Sequence, residues 1–192
     1  MGIARIREPV TTEVAIVQWR PRWVKIESVN NKTHNMPALS RKRNVYDYIS
    51  GYVDGEGCFS VSFSRRKKFL VGWETKPSFS VSQNEDRAEI LYAMRRIFKC
   101  GFLRRDFSDK TLKYEVRSLD DLISKIIPHF DVYPLLSSKQ KDYRFFREIC
   151  YAMRRGAHRN KHGLSRIIRA AFQMNSSGKR KYTQEEIFDT LR

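Results

Sequence analysis

The residues of this sequence best suited to chemistry are two carboxylates, Asp54 and Glu56, which stand among glycines. Apolar residues three and four positions apart precede them and predict a helix. Gly55 and Gly57 would end that helix, since glycine readily adopts the backbone of a helix C-terminus, and a strand is expected from Cys58. A carboxylate held rigidly at a helix end is a suitable ligand for a metal ion.

A second stripe of the same predicted helix carries only small or acidic side chains. A glycine inside a helix costs about 1 kcal/mol relative to alanine, so two glycines four residues apart indicate close approach of another backbone. Because this pattern occurs once in the chain, the partner helix should come from a second copy in a twofold homodimer. The predicted interface consists of Asp47, Gly51, Asp54 and Gly55, and Asp54 is expected to form a hydrogen bond across the helix pair.

Apolar and polar residues then alternate in two runs, 58–66 and 78–82, joined by a basic turn. This pattern predicts an antiparallel hairpin with one buried face, and residues 102–107 and 111–116 predict a second hairpin. The exposed faces suit nucleic acid, because hydroxyls contact base edges and cations contact phosphates or guanine. A solvated sheet face with a charged tip is the alternative. The predicted DNA-binding residues are Ser60, Ser62, Ser64, Arg66, Ser78, Ser80, Arg104, Asp106, Lys113 and Glu115.

Helical patterns separate and follow the hairpins. One is predicted after Asn84, and a second begins at Ser118 and is expected to end at Pro128. Further helices are predicted near the C-terminus, the last of them opened by a capping box of Thr183 and Glu186. The order is therefore helix, hairpin, helix, hairpin, helix, followed by more helices, in the α+β class.

The stretch Ile49–Phe59 resembles the motif of the LAGLIDADG homing endonucleases. Ser50 and Gly51 match its second and third positions, Asp54 matches its first acid, and Glu56 replaces the second, usually aspartate. The order of elements is also that of the family. The resemblance implies a LAGLIDADG core of helix-hairpin-helix-hairpin-helix with a saddle-shaped antiparallel sheet, plus C-terminal helices.

The resemblance also implies a catalytic set and a cofactor. Gln83 resembles the residue that positions water in the family, Arg87 its basic partner, and Lys139 its active-site lysine. Glu56 and Gly55 match the metal-binding positions, with Mg²⁺ as the implied cofactor. Since Mg²⁺ takes one or two carboxylates plus waters and phosphates, two copies of the chain would supply one Glu56 to each of two scissile phosphates.

Composition points to a nucleic-acid partner. The formal net charge of the 192 residues is +17, which implies a polyanion, nucleic acid before membrane. No run of about 18 apolar residues occurs, so no membrane partner is predicted. Three cysteines without a CxxC pair favour a reducing, intracellular location: a bacterial or archaeal cytoplasm, or an organelle. Residues 1–44 are predicted to be a basic extension, either a DNA-contacting arm or a disordered leader, and residues 45–192 the endonuclease domain.

These observations predict a site-specific, Mg²⁺-dependent DNA endonuclease that acts as a homodimer on a long pseudo-palindromic target. One alternative is a maturase that binds its host intron RNA without cleaving DNA, and another is a DNA-binding protein on the same core. Glu56, Gln83 and Lys139 favour cleavage, since a protein that only binds needs none of them.

Overall fold

The computed structural model describes residues 44–107, 110–176 and 178–192. The predicted extension at residues 1–44 lies outside these ranges except for its last residue, so the domain boundary stays a prediction. The first helix, α1 (Val45–Glu56), begins after Asn44, whose side chain accepts a hydrogen bond from the backbone N–H of Tyr46 at 3.1 Å. This cap satisfies one of the free donors at the helix start.

The two predicted hairpins form one antiparallel sheet of four strands. The strands are β1 (Gly57–Arg65), β2 (Trp73–Asn84), β3 (Phe102–Asp106) and β4 (Thr111–Val116), in the order β1-β2-β4-β3. Apolar residues of β1 and β2 are buried at every second position. The alternation in the sequence therefore predicted correctly which face of the first hairpin is covered.

Helices connect and cover the strands. A 3-10 turn (Glu85–Arg87) and α2 (Glu89–Phe98) join the hairpins. After β4, the chain forms α3 (Leu119–Asp121), a π-helical segment (Leu122–Ile126) and α4 (Ile127–Val132). The observed order of helices and hairpins is the one predicted.

The helix predicted to end at Pro128 instead continues to Val132. Proline removes a backbone donor and crowds the carbonyl four residues earlier, which normally breaks a helix. Here the preceding turn is wider, with the N–H of Ile127 bonded to the carbonyl of Leu122 five residues back. Pro128 then lies in the first turn of α4, where a missing donor costs little.

Three more helices follow: α5 (Lys139–Arg154), α6 (Lys161–Phe172) and α7 (Gln184–Asp189), with a 3-10 turn (Ala157–Arg159) before α6. The predicted capping box of Thr183 and Glu186 is present at α7. Within the described residues, no helix is long and apolar enough to cross a membrane, and all three cysteines are free.

The core lies between the apolar face of the sheet and the helices. Phe59 of β1 is fully buried, and its ring centroid lies 5.2 to 5.4 Å from the rings of Phe79, Phe130, Tyr143 and Phe146. These contacts join β1, β2, α4 and α5. Burying a large apolar side chain contributes roughly 1.5 to 3 kcal/mol, so this cluster fixes the helices on the sheet.

A buried polar contact ties α1 to α4. The Ser50 hydroxyl donates to the carbonyl of Tyr133 at 2.7 Å and lies 3.1 Å from His129 Nε2. Since the hydroxyl has one hydrogen, His129 must donate through Nε2. Burial lowers the pKa of His129 to about 4.

The segment after α6 covers the free edge of the sheet. β1 has a strand partner on one side only. On its other side, Asn175 Nδ2 donates to the carbonyl of Phe59 at 2.7 Å, and Arg180 Nη1 donates to the carbonyl of Val61 at 3.2 Å. Side chains therefore satisfy two carbonyls that a neighbouring strand would otherwise satisfy.

Candidate active site and nucleic-acid interface

The C-terminal end of α1 carries the acidic residues of the motif. Glu56 is the last residue of the helix, and its side chain is exposed. Gly57 follows as the first residue of β1. A Cβ atom at position 57 would lie 2.5 Å from Val53 Cγ1 and 2.7 Å from the Val53 carbonyl oxygen. Any residue other than glycine would therefore collide with the last helical turn and displace Glu56.

Lys139, a predicted catalytic residue, reaches the same helix end from the start of α5. Its Nζ donates to the carbonyl oxygens of Val53, Gly55 and Gly57 at 3.0, 3.2 and 2.6 Å. Carbonyls of the last turn lack partners within the helix and form the negative end of its dipole, which an ammonium group stabilises. Lys139 therefore holds the backbone that carries Glu56.

Asp54, the first acid of the motif, is bound within its own chain. Its carboxylate accepts hydrogen bonds from the backbone N–H groups of Leu136 (3.0 Å) and Ser137 (2.9 Å) and from the Ser137 hydroxyl (2.5 Å). Burial raises the pKa of Asp54, but these hydrogen bonds outweigh it and hold the pKa below its ordinary value. Within one copy, a loop of the same chain takes up most of the acceptor capacity of Asp54, and its hydrogen bond across a helix pair stays a prediction.

Gln83 lies at the end of β2 and contacts α1. Its Nε2 donates to the hydroxyl of Tyr52, and its Oε1 accepts from the backbone N–H of Asn84 at 2.7 Å. Burial raises the pKa of Tyr52, the Gln83 hydrogen bond lowers it, Glu56 raises it and Arg87 lowers it, with a net increase. Tyr52 therefore interacts electrostatically with both Glu56 and Arg87, and its hydroxyl accepts a hydrogen bond from Gln83.

Sequence reasoning missed Tyr52 as a site residue. Its spacing groups it with Tyr48 and Ile49 among the apolar residues that predict helix α1. Only Ile49 of these three is buried, Tyr52 is partly buried, and Tyr48 is 59% exposed. The available signal was the phenolic hydroxyl, which needs a polar partner when the ring is covered.

The opposite face of α1 is open. Asp47, Tyr48, Gly51 and Gly55 are exposed, and a Cβ atom at either glycine would have no neighbour within 4 Å in the described parts of the chain. The glycines are thus not required by packing within one copy. This leaves Asp47, Gly51 and Gly55 from the predicted interface available to a second chain.

The strand register brings the predicted DNA-binding residues onto one polar face. Ser80 lies opposite Glu115, and Lys113 lies between Ser82 and Arg104. The face is concave near the end of α1. The groove there is lined by Glu56, Cys58, Ser60, Ser62, Ser64, Lys76, Pro77, Ser78, Ser80, Ser82, Lys113, Glu115 and Arg117.

Two of these residues are less available than predicted. Glu115 is buried, and its two oxygens accept hydrogen bonds from Ser78 at 3.0 Å and Arg117 at 2.8 Å. Burial raises the pKa of Glu115. The hydrogen bonds from Arg117 and Ser78 lower it by more, so the net pKa lies below the ordinary value. Ser80 is also buried. Glu115 therefore anchors the floor of the groove, and its role in DNA binding stays a prediction.

The charged residues at the rim form exposed ion pairs. Arg66 and Lys76 lie 2.9 and 3.1 Å from the Glu74 carboxylate, and Arg104 lies 4.0 Å from Asp106. Exposed ion pairs contribute only about 0 to 1 kcal/mol. A phosphate group can therefore replace a carboxylate as the partner of Arg66, Lys76 or Arg104 at a small cost in free energy. The cations at the rim thus remain able to bind a nucleic acid.

The donor set within one copy is too small for a protein-built metal cage. No three His, Cys, Asp or Glu side chains of the described residues could hold a metal ion together. The exposed Glu56 carboxylate fits Mg²⁺, which is held by few carboxylates with waters and phosphates. The Gly55 carbonyl fits less well than predicted, because the ammonium of Lys139 lies 3.2 Å from it and would repel a second cation.

Known proteins share both this sequence pattern and this fold. The profile of the LAGLIDADG endonuclease family matches residues 49–150. The homing endonuclease I-ApeII of Aeropyrum pernix is 28% identical over 152 residues, covering 75% of this chain and 88% of that protein. The crystal structure of the homing endonuclease I-TnaI is 34% identical, with a TM-score of 0.66 over 76% of this chain and 94% of that one. The archaeal intron-encoded homing endonuclease I-Vdi141I, complexed with DNA, is 26% identical with a TM-score of 0.70, covering 76% and 93%.

Other relatives are longer proteins. The chain spans 31%, 28% and 24% of the length of three matching proteins, one from Podospora anserina and two from Neurospora crassa. The family match itself covers more than half of this chain and includes the acidic helix end, both hairpins and the start of α5. From the motif, the order of elements and these similarities, the chain belongs to the LAGLIDADG endonuclease family.

Proposed function

We propose that the chain is a site-specific DNA endonuclease that cuts both strands of a long duplex target as a Mg²⁺-dependent homodimer. One observation carries this proposal. The exposed Glu56 carboxylate opens onto the groove of serines and cations on the polar sheet face. A metal ligand and a surface suited to phosphates and base edges therefore meet at one place.

Duplex DNA is the substrate that fits this face best. Ser60, Ser62 and Lys113 offer hydroxyl and ammonium groups along the groove, and such groups bind phosphates and base edges. The formal charge of +17 adds sequence-independent attraction to a polyanion. The DNA complex of I-Vdi141I, which shares the fold, supports the same assignment.

Each residue near the end of α1 would have a separate role in phosphodiester hydrolysis. Mg²⁺ bound at Glu56 would activate water and stabilise charge on the phosphate. Lys139 keeps Glu56 in position by bonding the carbonyls of the last turn. Gln83 is held beside α1 by its hydrogen bond to the hydroxyl of Tyr52, where it would position water. Arg87 is exposed and can place its guanidinium near the developing negative charge.

The open face of α1 supports the proposed homodimer. Cleavage of two strands needs two sets of these residues, and one copy supplies a single Glu56. Gly51 and Gly55 leave room for the backbone of a partner helix, as small residues do where helices pack closely. A twofold axis along this face would place a Glu56 on each side of it.

The proposal is tested by removing the charge of Glu56. A duplex library with about 20 randomised base pairs, two turns of the double helix, is incubated with the protein and Mg²⁺, and the cut ends are sequenced. Glu56→Gln should reduce cleavage of the selected duplex about a hundredfold or more and leave binding intact. Glu185→Gln, an exposed acid in α7, serves as the matched control.

Two results would count against the proposal. The metal assignment fails if Glu56→Gln cuts at the rate of the unaltered chain. The endonuclease itself fails if the unaltered chain selects no sequence and cuts nothing, although it binds duplex DNA.

A further inference from the structure

A cavity of about 370 Å³ lies at the edge of β1, beside the segment that joins α6 to α7. We call it the edge cavity. Val61 and Ile187 form its buried apolar wall, and the partly exposed rings of Phe172 and Tyr182 stand beside them. Cavities that hold small molecules measure roughly 300 to 1,000 Å³ and are mostly apolar with a few polar groups. The edge cavity therefore has the size and the lining of a site for a small ligand.

The charged residues of the edge cavity are all positive. Among the described residues that line it, none is an acid and three consecutive ones are cations: Lys179, Arg180 and Lys181. None of the three forms an ion pair with a residue that the structure describes. Arg180 is partly buried and donates only to neutral groups, the carbonyls of Val61, Ala171 and Met174. A partly buried cation without an acid is unfavourable, so an anion in the cavity would stabilise it.

A flat stacked pair lies next to these charges. The Arg180 guanidinium lies 4.6 Å from the centre of the Phe172 ring, and Phe172 is itself stacked on Phe63, with centroids 6.5 Å apart. A base can stack on a guanidinium plane. The side-chain nitrogen of Asn175 is bonded to the carbonyl of Phe59, which leaves its side-chain oxygen able to accept a hydrogen bond from a base. The cavity thus offers contacts for a base as well as for an anion.

We propose that the edge cavity binds a free nucleoside monophosphate and that the bound nucleotide opposes DNA binding. The base would stack on Arg180, and the phosphate would meet Lys179 and Lys181, whose side chains are exposed. A base of duplex DNA would first have to leave its stack to enter the cavity. A free nucleotide enters without that cost.

The expected antagonism follows from the position of the cavity. Cys58, Ser60 and Ser62 line both the edge cavity and the DNA groove. A nucleotide phosphate at this shared rim would repel the phosphates of a duplex. By linkage, the duplex must weaken nucleotide binding by the same factor. This antagonism rests on the proposed DNA-binding face and not on cleavage.

Equilibrium dialysis of radiolabelled AMP against the full chain, without DNA or Mg²⁺, measures the site alone. AMP should bind at least about tenfold more tightly than adenosine or inorganic phosphate, since each of these lacks one set of contacts. Lys179→Gln with Lys181→Gln should weaken AMP binding at least about tenfold. Arg95→Gln with Arg96→Gln removes the same charge from α2, which packs against β3 and β4, and should change AMP binding less than about twofold.

A further variant separates stacking from charge. Arg180→Lys keeps the positive charge but removes the flat surface, so AMP binding should weaken about fivefold or more. Binding of inorganic phosphate to this variant should stay unchanged. Melting curves of each variant confirm that it is folded, and the Lys179 and Lys181 pair, both exposed, tests the site without touching the contacts of Arg180 to the backbone.

The antagonism is measured by repeating the dialysis with a saturating duplex of about 20 base pairs. The duplex should weaken AMP binding at least about fivefold. An AMP affinity that the duplex leaves unchanged would overturn the antagonism. Adenosine or inorganic phosphate binding as tightly as AMP, or an equal loss in the α2 control pair, would overturn the nucleotide site. Since the dialysis contains no cleavable target and no Mg²⁺, failure of the nuclease proposal would leave these results unaffected.

Discussion

At the scale of single residues, the hydroxyl of Tyr52 is what joins the motif helix to the rest of the candidate site. Gln83 belongs to β2 and Glu56 ends α1, and the hydrogen bond between Tyr52 and Gln83 connects these two elements. The Tyr52 ring also lies near Tyr48, with centroids 6.3 Å apart. Tyr52 is therefore a positioning residue for Gln83, and it needs no charge of its own.

We expect Tyr52→Phe to slow cleavage while target binding stays unchanged. Phenylalanine keeps the ring and its packing but removes the acceptor for Gln83 Nε2. A neutral hydrogen bond contributes about 1 kcal/mol, so the single-turnover cleavage rate should fall about fivefold to tenfold. Tyr48→Phe, on the exposed face, is the control and should cut normally. In the double variant with Gln83→Ala, the two losses should not add; additive losses would contradict the positioning role.

Residue types at the site could be read from the sequence, but their partners could not. Glu56, Gln83 and Lys139 were predicted, and the structure brings all three to the end of α1. The contact of Asp54 with Ser137 joins residues 83 positions apart, and no local pattern encodes such a pairing. The same limit applies to Glu115. The alternation along β4 places Glu115 on the exposed face, but hydrogen bonds from Arg117 and Ser78 hold its carboxylate in a buried position.

At the scale of elements, one buried contact fixes the angle at which α1 meets α4. Ser50 is the only polar residue of α1 that is buried. It bonds both His129 and the carbonyl of Tyr133. Because His129 is buried, its imidazole has to remain neutral to avoid a buried, unpaired charge. The packing of α1 against α4 is therefore sensitive to acid.

We expect stability to fall as the pH drops from about 6.5 toward 4. The pKa of His129 is about 4 in the fold and close to 6.5 in the unfolded chain. Between these values the unfolded chain binds the extra proton, so acid favours unfolding, by roughly 3 kcal/mol in total. Urea unfolding at about pH 7 and about pH 5 measures the change.

His129→Gln should lose most of this pH dependence, whatever its stability at neutral pH. His162→Gln, at an exposed position in α6, should retain it. An unchanged slope in His129→Gln would show that other groups cause the acid sensitivity.

The helices also show where pattern reading reaches its limit. Periodicity predicted both strands of the second hairpin to within one residue, because burial at fixed intervals leaves a local trace, and the capping box predicted the start of α7. The predicted run 78–82 covers only part of β2 (Trp73–Asn84). The general rule that proline breaks a helix predicts an end at Pro128, since that rule considers only the proline and the turn before it. Packing of Ile127 and Phe130 in the core supplies free energy that keeps the helix going through a wider turn.

At the scale of the whole molecule, the proposed homodimer would complete the site with a second copy of the chain. One exposed face of α1 carries the open stripe of Asp47, Gly51 and Gly55. The same helix ends at Glu56, and each chain supplies one such carboxylate. A dimer formed along this stripe would continue the polar faces of two sheets along one duplex.

Gly51→Leu should abolish the dimer and cleavage together. The chain itself has room for the side chain, so the monomer should fold normally. In the dimer two leucines would meet where the backbones touch, and overpacking of this kind costs roughly 1 to 3 kcal/mol per site. Sedimentation equilibrium measures the monomer–dimer balance. Tyr92→Leu, which places a leucine at an exposed position of α2, should remain dimeric. A Gly51→Leu protein that is dimeric and active would move the interface elsewhere.

The covered edge of β1 has a consequence for aggregation. An open edge strand offers its backbone groups to other chains, and repeated edge pairing leads toward fibrils. β1 is a strong candidate for such pairing, because Phe59, Val61 and Phe63 alternate with uncharged serines. Asn175 and Arg180 occupy the carbonyls that an incoming strand would need. A proteolytic cut between α6 and α7 would release Asn175 and Arg180 from these carbonyls. We therefore expect the segment that carries them to protect β1 from edge-to-edge pairing with other copies of the chain.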